Sequence, residues 1–269
     1  MLESIRYYRK LVACFGWTFF CWGVWLSALA LTGFSNRRSR ALRRPIVRMW
    51  GTGVLWCMGA RIVTEGVPPK PPYFIVSNHL SHVDVFLIAS QLGCVFVARA
   101  NMQHWPILGK IASTSQQIFI DRSSGRDSLR VMDLITDALD KGDGVHVFAE
   151  STCSRGVDVR DFKPSLFELA ARNAIPIHCA AVSYATPEGA PAAADSVAWW
   201  RAEPLADHLA RLLRLKSFTA TVRFAPGPVS GGDRKALAQA AHEQVSALFT
   251  PIEQGVLEEL KDRRQRTSR

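Results

Sequence analysis

The chain has 269 residues, 48% hydrophobic and 21% charged, which excludes a disordered protein because there is ample apolar surface to offset the entropy of ordering. Six cysteines with no C-x-x-C pair exclude a disulfide-stapled miniprotein, and reduced thiols facing a cytoplasm are expected. The net charge is +10, of which residues 1–70 carry +9: eleven Lys/Arg stand there against Glu3 and Glu65. Such clustering argues against a nucleic-acid partner, whose binder spreads basic residues over the folded domain, and for an anionic membrane surface beside an apolar stretch.

Leu11 to Phe34 contains no charged residue. As a helix this stretch is about 36 Å long, enough for about 30 Å of hydrocarbon. It exceeds the usual signal-peptide core, and no small-x-small cleavage site precedes the charged stretch that follows. Trp17, Trp22 and Trp25 suit a membrane interface. Both flanks are basic, so the positive-inside rule gives no orientation. A second apolar stretch, Pro45 to Ala60, is interrupted by Arg48 and carries Trp50 and Trp56. The reading is two membrane-associated helices joined by a basic loop, lying in one leaflet as a monotopic anchor; the alternative is one transmembrane helix followed by a linker.

The proline-rich VPPKPP at residues 67–72 stops any helix. Three parts are therefore expected: a membrane-anchoring helical segment over 1–66, an α/β domain over 67–250 and a polar tail over 251–269. After the break come short apolar runs that read as buried strands: Tyr73–Ser77, Cys94–Ala98, Gln117–Ile120, Val145–Ala149, Ile177–Ser183 and Thr219–Phe224. Ser128–Asp140 sets Leu129, Met132, Ile135 and Leu139 on one helical face before Gly142, and Asp233–Phe249 reads as another helix. Strands alternating with helices predict an α/β fold, a mixed sheet flanked by helices and preceded by the membrane-associated helical segment.

Directly after the first of these strands stands Asn78-His79-Leu80-Ser81-His82-Val83-Asp84. Imidazole titrates near neutral pH and can take a proton from a hydroxyl, and a nearby carboxylate can fix its tautomer. If a helix began at the strand end, residues 79 and 84 would not share a face, so the first turn must bend for them to meet. A histidine capped at a helix start with a first-turn acid would give the same pattern for structural reasons. A metal set of His79, His82 and Asp84 is the other alternative, but H-x-x-H does not bring both rings to one side and no further ligand cluster is visible. No metal is expected.

In chain order there follow Phe119-Ile120-Asp121-Arg122, Phe148-Ala149-Glu150-Ser151-Thr152 and Ile175-Pro176-Ile177. The series resembles the glycerolipid acyltransferase family, whose blocks are NHxxxxD, (F/I)-x-(D/N)-R, FPEGTRS and V-P-(I/V). The resemblance spans roughly residues 45–230 and includes Phe96-Val97-Ala98-Arg99, Trp105-Pro106-Ile107-Leu108-Gly109 and Phe162-Lys163. The third block departs from the pattern: Pro becomes Ala149, Gly becomes Ser151 and Arg becomes Cys153. The lost glycine matters if the turn needs positive φ. The lost arginine is associated in the family with the acceptor's phosphate, which a guanidinium pairs bidentately. A related group, which acylates lyso-ornithine lipid, also lacks it, and Val197-Ala198-Trp199-Trp200 with Leu205 and His208-Leu209 is similar to that group.

The resemblance implies direct acyl transfer to a lysolipid hydroxyl from an acyl-carrier-protein or coenzyme A thioester, with no other cofactor and no covalent acyl-enzyme. His79 would be the general base and Asp84 its orienter. Asn78, Arg99, Arg122, Glu150, Ser151 and Thr152 would bind substrate, with Asn78 or a backbone N–H near the helix start at the oxyanion and the arginines at phosphate or headgroup. The expected product is phosphatidic acid from 1-acylglycerol-3-phosphate; the alternatives are a lyso-ornithine lipid or other lysolipid acceptor, or an inactive lipid-binding homologue. Membrane lipid is an expected partner, and the implied location is the inner membrane with the domain on the cytoplasmic side. His146 and His178, in apolar strands, read as packed side chains, and nothing in the sequence activates Cys153.

Overall fold

A computed structural model describes residues 2–32, 36–105, 107–121 and 125–252. Two long helices come first, α1 (Leu2–Leu31) and α2 (Asn36–Met58). Then follow β1 (Ala60–Glu65), β2 (Tyr73–Ser77), α3 (Val83–Leu92), β3 (Val95–Arg99), α4 (Leu108–Thr114), β4 (Ile118–Ile120), α5 (Gly125–Asp140) and β5 (Gly144–Phe148). The chain ends with α6 (Glu168–Asn173), β6 (Ile177–Ala185), α7 (Ala193–Ser196), α8 (Leu205–Arg214), β7 (Phe218–Phe224) and α9 (Arg234–Leu248). The strands form one sheet in the order β1-β7-β6-β2-β5-β3-β4, parallel throughout except for the antiparallel β6–β7 pair. The expected mixed sheet flanked by helices is thus present.

Both faces of the sheet are covered, which is why its central strands read as unbroken apolar runs. Ile75 of β2, Val182 of β6 and Val222 of β7 pack with Val54, Leu87, Ile88 and Leu212 on one face. Phe74, Val76 and Val147 pack with Ile135, Leu169, Leu237 and Val245 on the other. Alternate residues of β2 therefore serve opposite cores, as a period of two requires. The strand over Ala60–Glu65 was not expected from its sequence: it is an edge strand, half-exposed along its length, with no apolar run to mark it.

The amino-terminal helices pair as an antiparallel hairpin. The Cys14 thiol meets the Val54 carbonyl, the Trp17 indole donates to the Met49 carbonyl at 3.3 Å and the Trp50 indole to Thr18 Oγ1 at 3.1 Å. Two glycines of α2 permit close contact on two sides. A Cβ at Gly51 would lie 2.5 Å from the Phe86 carbonyl of α3, and one at Gly53 would overlap the Trp17 indole. The basic stretch before Pro45 is helical and not a loop; Pro45 lies inside α2. The first half of α2 is held against the sheet domain, where the 3% exposed Arg43 pairs with Asp143 at 2.6 Å and donates to Gln116 at 2.8 Å. These anchors offset the bond that an interior proline removes.

Helix α1 is tied down at both ends. Near its start the buried Lys10 ammonium donates to the carbonyls of Met58 at 2.6 Å and Leu215 at 2.8 Å, satisfying the ends of α2 and α8. Towards its far end, Trp22 donates to Thr114 Oγ1 at 3.1 Å and Trp25 to the Thr114 carbonyl at 3.0 Å. Trp17, Trp22 and Trp25 therefore spend their indole N–H groups inside the protein, contrary to the expectation that they sit at a membrane interface. The opposite side of α1 exposes Ile5, Tyr8, Val12, Phe15, Phe19 and Leu26, an apolar stripe at helical spacing. By length and composition, α1 is the one described helix that could cross a bilayer.

Candidate active site

Register brings the chemistry together. Ser77 at the end of β2 is paired with Phe148 at the end of β5 in a parallel ladder. Two residues further along each strand stand His79 and Glu150, side by side at the carboxyl edge of the sheet, where loops of open α/β sheets carry sites. The link is direct: the His79 backbone N–H donates to Glu150 Oε1 at 3.0 Å.

The bend that the sequence required is supplied by a loop. Residues 79–82 are not helical, and α3 starts at Val83. The loop wraps the carboxylate of Asp84, which is wholly buried. Its Oδ2 accepts from His79 Nδ1 at 2.8 Å, from the Leu80 amide at 2.6 Å and from the Ser81 amide at 2.9 Å. The Tyr184 hydroxyl, from β6, donates to Oδ1. Every lone pair in use is thus matched by a donor, as a buried carboxylate needs. With Nδ1 donating to Asp84, the neutral imidazole carries its free lone pair on Nε2.

The His79 ring stacks on Phe148 at 4.0 Å between centroids and keeps 18% of its side chain exposed. Burial disfavours its charge, but the neighbouring Cys153 sulfur and the Asp84 carboxylate outweigh this and raise its proton affinity. The other histidines near the site behave oppositely. Burial lowers His82 to about 3 and His146 to about 3, so both are neutral. His146 packs as expected, against Ser77 Oγ at 3.0 Å. His82 lies in an aromatic cluster with Trp199 and His208 beneath the loop.

The other predicted residues divide. Asn78 is fully buried, its amide donating to the Val182 carbonyl at 3.0 Å and its Oδ1 accepting from the Val182 amide at 2.8 Å. That correction is physical: an amide spent on β6 in both directions is not offered to an oxyanion. Glu150 is 3% exposed, and burial pushes its carboxyl up to about 7 even though the amides of His79 and Arg160 favour its charge. It faces the backbone of His79. Ser151 adopts φ +67°, the left-handed conformation that the family glycine suits. Its carbonyl accepts from the exposed Arg99 guanidinium at 2.9 Å. Thr152 is exposed at the tip of this turn. Arg122 lies outside the described residues. Ala149 uses the N–H that a proline would lack, donating to the Ser77 carbonyl at 3.1 Å.

Sequence reasoning missed Tyr184: it lies 100 positions from Asp84, and nothing local marks a tyrosine in a strand as a carboxylate's partner. Among the described residues, no group of three or more His, Cys, Asp or Glu is arranged to hold a metal ion. The site can hold a histidine in one tautomer beside a half-buried thiol, with one nitrogen left to take a proton.

Residues 61–183 match the family model described as Acyltransferase. The lyso-ornithine lipid O-acyltransferase of Rhizobium meliloti is 30% identical over 84% of this chain and 78% of its own length. That of Pseudomonas aeruginosa is 29% identical over 77% and 80%. The 1-acyl-sn-glycerol-3-phosphate acyltransferase of Neisseria meningitidis is 26% identical over 84% and 89%. Among solved structures, the 1-acyl-sn-glycerophosphate acyltransferase PlsC of Thermotoga maritima superposes with a TM-score of 0.65 at 17% identity, covering 95% of this chain and 98% of that one. This last likeness concerns the fold.

Proposed function

This chain belongs to the acyltransferase family, and from that premise we propose that it transfers a fatty acyl group from a carrier-protein or coenzyme A thioester to a lysolipid hydroxyl, with His79 as general base. The observation that carries the reading is the His79–Asp84 bond at 2.8 Å. Asp84 holds the proton on Nδ1, so Nε2 takes the acceptor's proton as its oxygen attacks the thioester carbonyl, and Asp84 stabilises the imidazolium that forms. Tyr184 and the Leu80 and Ser81 amides keep the carboxylate in place. Asn78 and Glu150 are positioning residues that hold the strand ends and the loop.

For the acceptor, we favour a lysolipid lacking a phosphate monoester, such as lyso-ornithine lipid. Cys153 stands where the family's phosphate-associated arginine would be, and the nearby Arg155 guanidinium lies over the Trp200 ring at 4.8 Å. The Pseudomonas and Rhizobium relatives are named for that substrate. A second reading, phosphatidic acid from 1-acylglycerol-3-phosphate, is favoured by Arg99, whose guanidinium is held at the Ser151 carbonyl on the same turn.

The anchor supports a location on the membrane. With α1 tied to the protein through Lys10 at one end and Trp22 and Trp25 at the other, its apolar stripe lies along the molecule. We read it as immersed in one leaflet, with the sheet domain on the cytoplasmic side of the inner membrane, where acyl thioesters are available. The lysolipid's tail then stays in the bilayer while its hydroxyl reaches His79.

An acceptor screen tests the reading. Purified full-length protein receives labelled acyl donor as both thioesters and, separately, lyso-ornithine lipid, 1-acylglycerol-3-phosphate and other lysophospholipids. Product from lyso-ornithine lipid is expected. Product from 1-acylglycerol-3-phosphate alone moves the acceptor to the second reading, and no product from any acceptor contradicts the enzyme's proposed chemistry.

A further inference from the structure

We propose that the groove between the far half of α1 and the start of α2 binds one anionic membrane phospholipid, whose acyl chain lies in the groove and whose phosphate meets Arg38. The site is separate from the one that acts on the acceptor, and it does not depend on the acyltransferase reading.

Helix spacing builds the groove. Phe19, Val24 and Leu31 of α1 line it together with Leu42 and Ile46 of α2, around a space of about 650 Å³. From residue 19 to residue 31 it follows α1 for about 18 Å, a length that suits an extended fatty acyl chain. The Ser27 hydroxyl on its wall donates to the Gly23 carbonyl at 2.9 Å, so this hydroxyl is satisfied within the helix and the lining is hydrocarbon. Gly23 stands in the same wall, and a Cβ there would meet nothing within 4 Å. A glycine inside a helix weakens it. Gly51 and Gly53 make room for neighbours in the chain itself, whereas the room beside Gly23 is left open.

Charge selects the occupant. Between Glu3 and Glu65 the chain has ten Lys/Arg and no Asp or Glu. Arg40 and Arg43 turn to Asp143. Arg38 is exposed one helical turn before Leu42, on the same face of α2, and makes no ion pair among the described residues. Because α1 and α2 are antiparallel, that turn stands at the end of the groove where Leu31 is. An apolar channel ending in a guanidinium matches a hydrocarbon chain ending in a phosphate. A second copy of this chain matches it poorly, since two such faces would set like charges against each other. The chain's own tail fits no better, because nine of the seventeen residues 253–269 are charged. The occupant is not the acceptor in transit either. Arg43 meets Asp143 just before β5, and Trp25 meets Thr114 before β4, so this end of the hairpin lies at the amino edge of the sheet, across from His79.

Binding is the readout of the test. Full-length protein is stripped of lipid in detergent and titrated with phosphatidylglycerol or with phosphatidylcholine of the same acyl chains, and bound lipid is counted by native mass spectrometry. Wild type is expected to hold one phosphatidylglycerol per chain, about fivefold more tightly than phosphatidylcholine. Gly23→Leu fills the open space and favours the helix, and it is expected to lose bound lipid of either headgroup. Arg38→Gln is expected to keep lipid and lose the preference. Phosphatidylglycerol should also raise the thermal-denaturation midpoint of wild type and leave that of Gly23→Leu unchanged. The proposal is overturned if folded wild type holds no lipid, if both headgroups bind alike, or if Gly23→Leu retains lipid as wild type does. A lipid-free dimer that Gly23→Leu dissociates overturns it too, by giving the groove to a second copy. Should Gly23→Leu fail to fold, Arg38→Gln decides, and an unchanged preference contradicts the site. Failure of the acceptor screen would leave each of these outcomes as it stands.

Discussion

The loop after β2 and the turn after β5 lie side by side at one edge of the sheet, yet they are constrained in different ways. The loop converges on one carboxylate: four donors, from His79, Leu80, Ser81 and Tyr184, meet Asp84, and nothing in the loop between them is strained. The turn holds a serine at φ +67°, a buried carboxyl pushed up to about 7, and a cysteine where the family has arginine. In the first assembly every bond meets on one buried carboxylate, so each supports the others. The second has diverged, and it is clamped to the first through Glu150 and Ser154. In the proposed function, the difference separates the group assigned to proton transfer from the turn assigned to the substrates.

Breaking the loop is expected to have the largest effect. Asp84→Asn keeps the shape but replaces the carboxylate that three N–H groups require; steady-state transfer should fall by about 10²–10⁴-fold while the circular dichroism spectrum is retained. The second effect belongs to the turn. Glu150 is protonated more readily in the folded chain than in the unfolded one, so the native state binds more protons between about pH 4.5 and 7. Stability contributed by this group is therefore present below the lower value and lost as pH rises through the upper one. Relative to wild type, Glu150→Gln should gain on the order of 2–3 kcal/mol across that window, read as the difference between the two thermal-denaturation profiles. A flat difference would show that the carboxyl is charged at both ends of it.

Tyr184→Phe returns to the loop with a smaller change. It removes one donor to a buried carboxylate, and chemical denaturation should show a loss of about 1–3 kcal/mol. The smallest effect is expected at Ser151. Ser151→Gly relieves a left-handed conformation and should raise stability by up to about 1 kcal/mol by the same assay. No gain there would mean that the serine makes compensating contacts.

The sheet was largely legible because its strands are buried on both faces and so stand out as short apolar runs. Edge strand β1 was not, since a half-exposed strand reads like a linker, and the basic residues before Pro45 read as a loop because their helix depends on Asp143, 100 positions from Arg43. At the site, the spacing of His79 and Asp84 was visible, and so was the question of positive φ at residue 151. What the spacing could not reveal was long-range: that Tyr184 closes the carboxylate and that Val182 consumes the Asn78 amide. Each is a contact between strand ends or turns brought together by register, and no local pattern encodes it.

The most direct test of the central claim is the rate of acyl transfer to the active lysolipid by wild type and His79→Ala, measured in the same detergent on protein shown to be folded. The account predicts a loss of about 10²–10⁴-fold with the anchor and sheet unchanged. Transfer by the variant at close to the wild-type rate would contradict it, because no other described histidine near this edge is both half-open and oriented by a carboxylate.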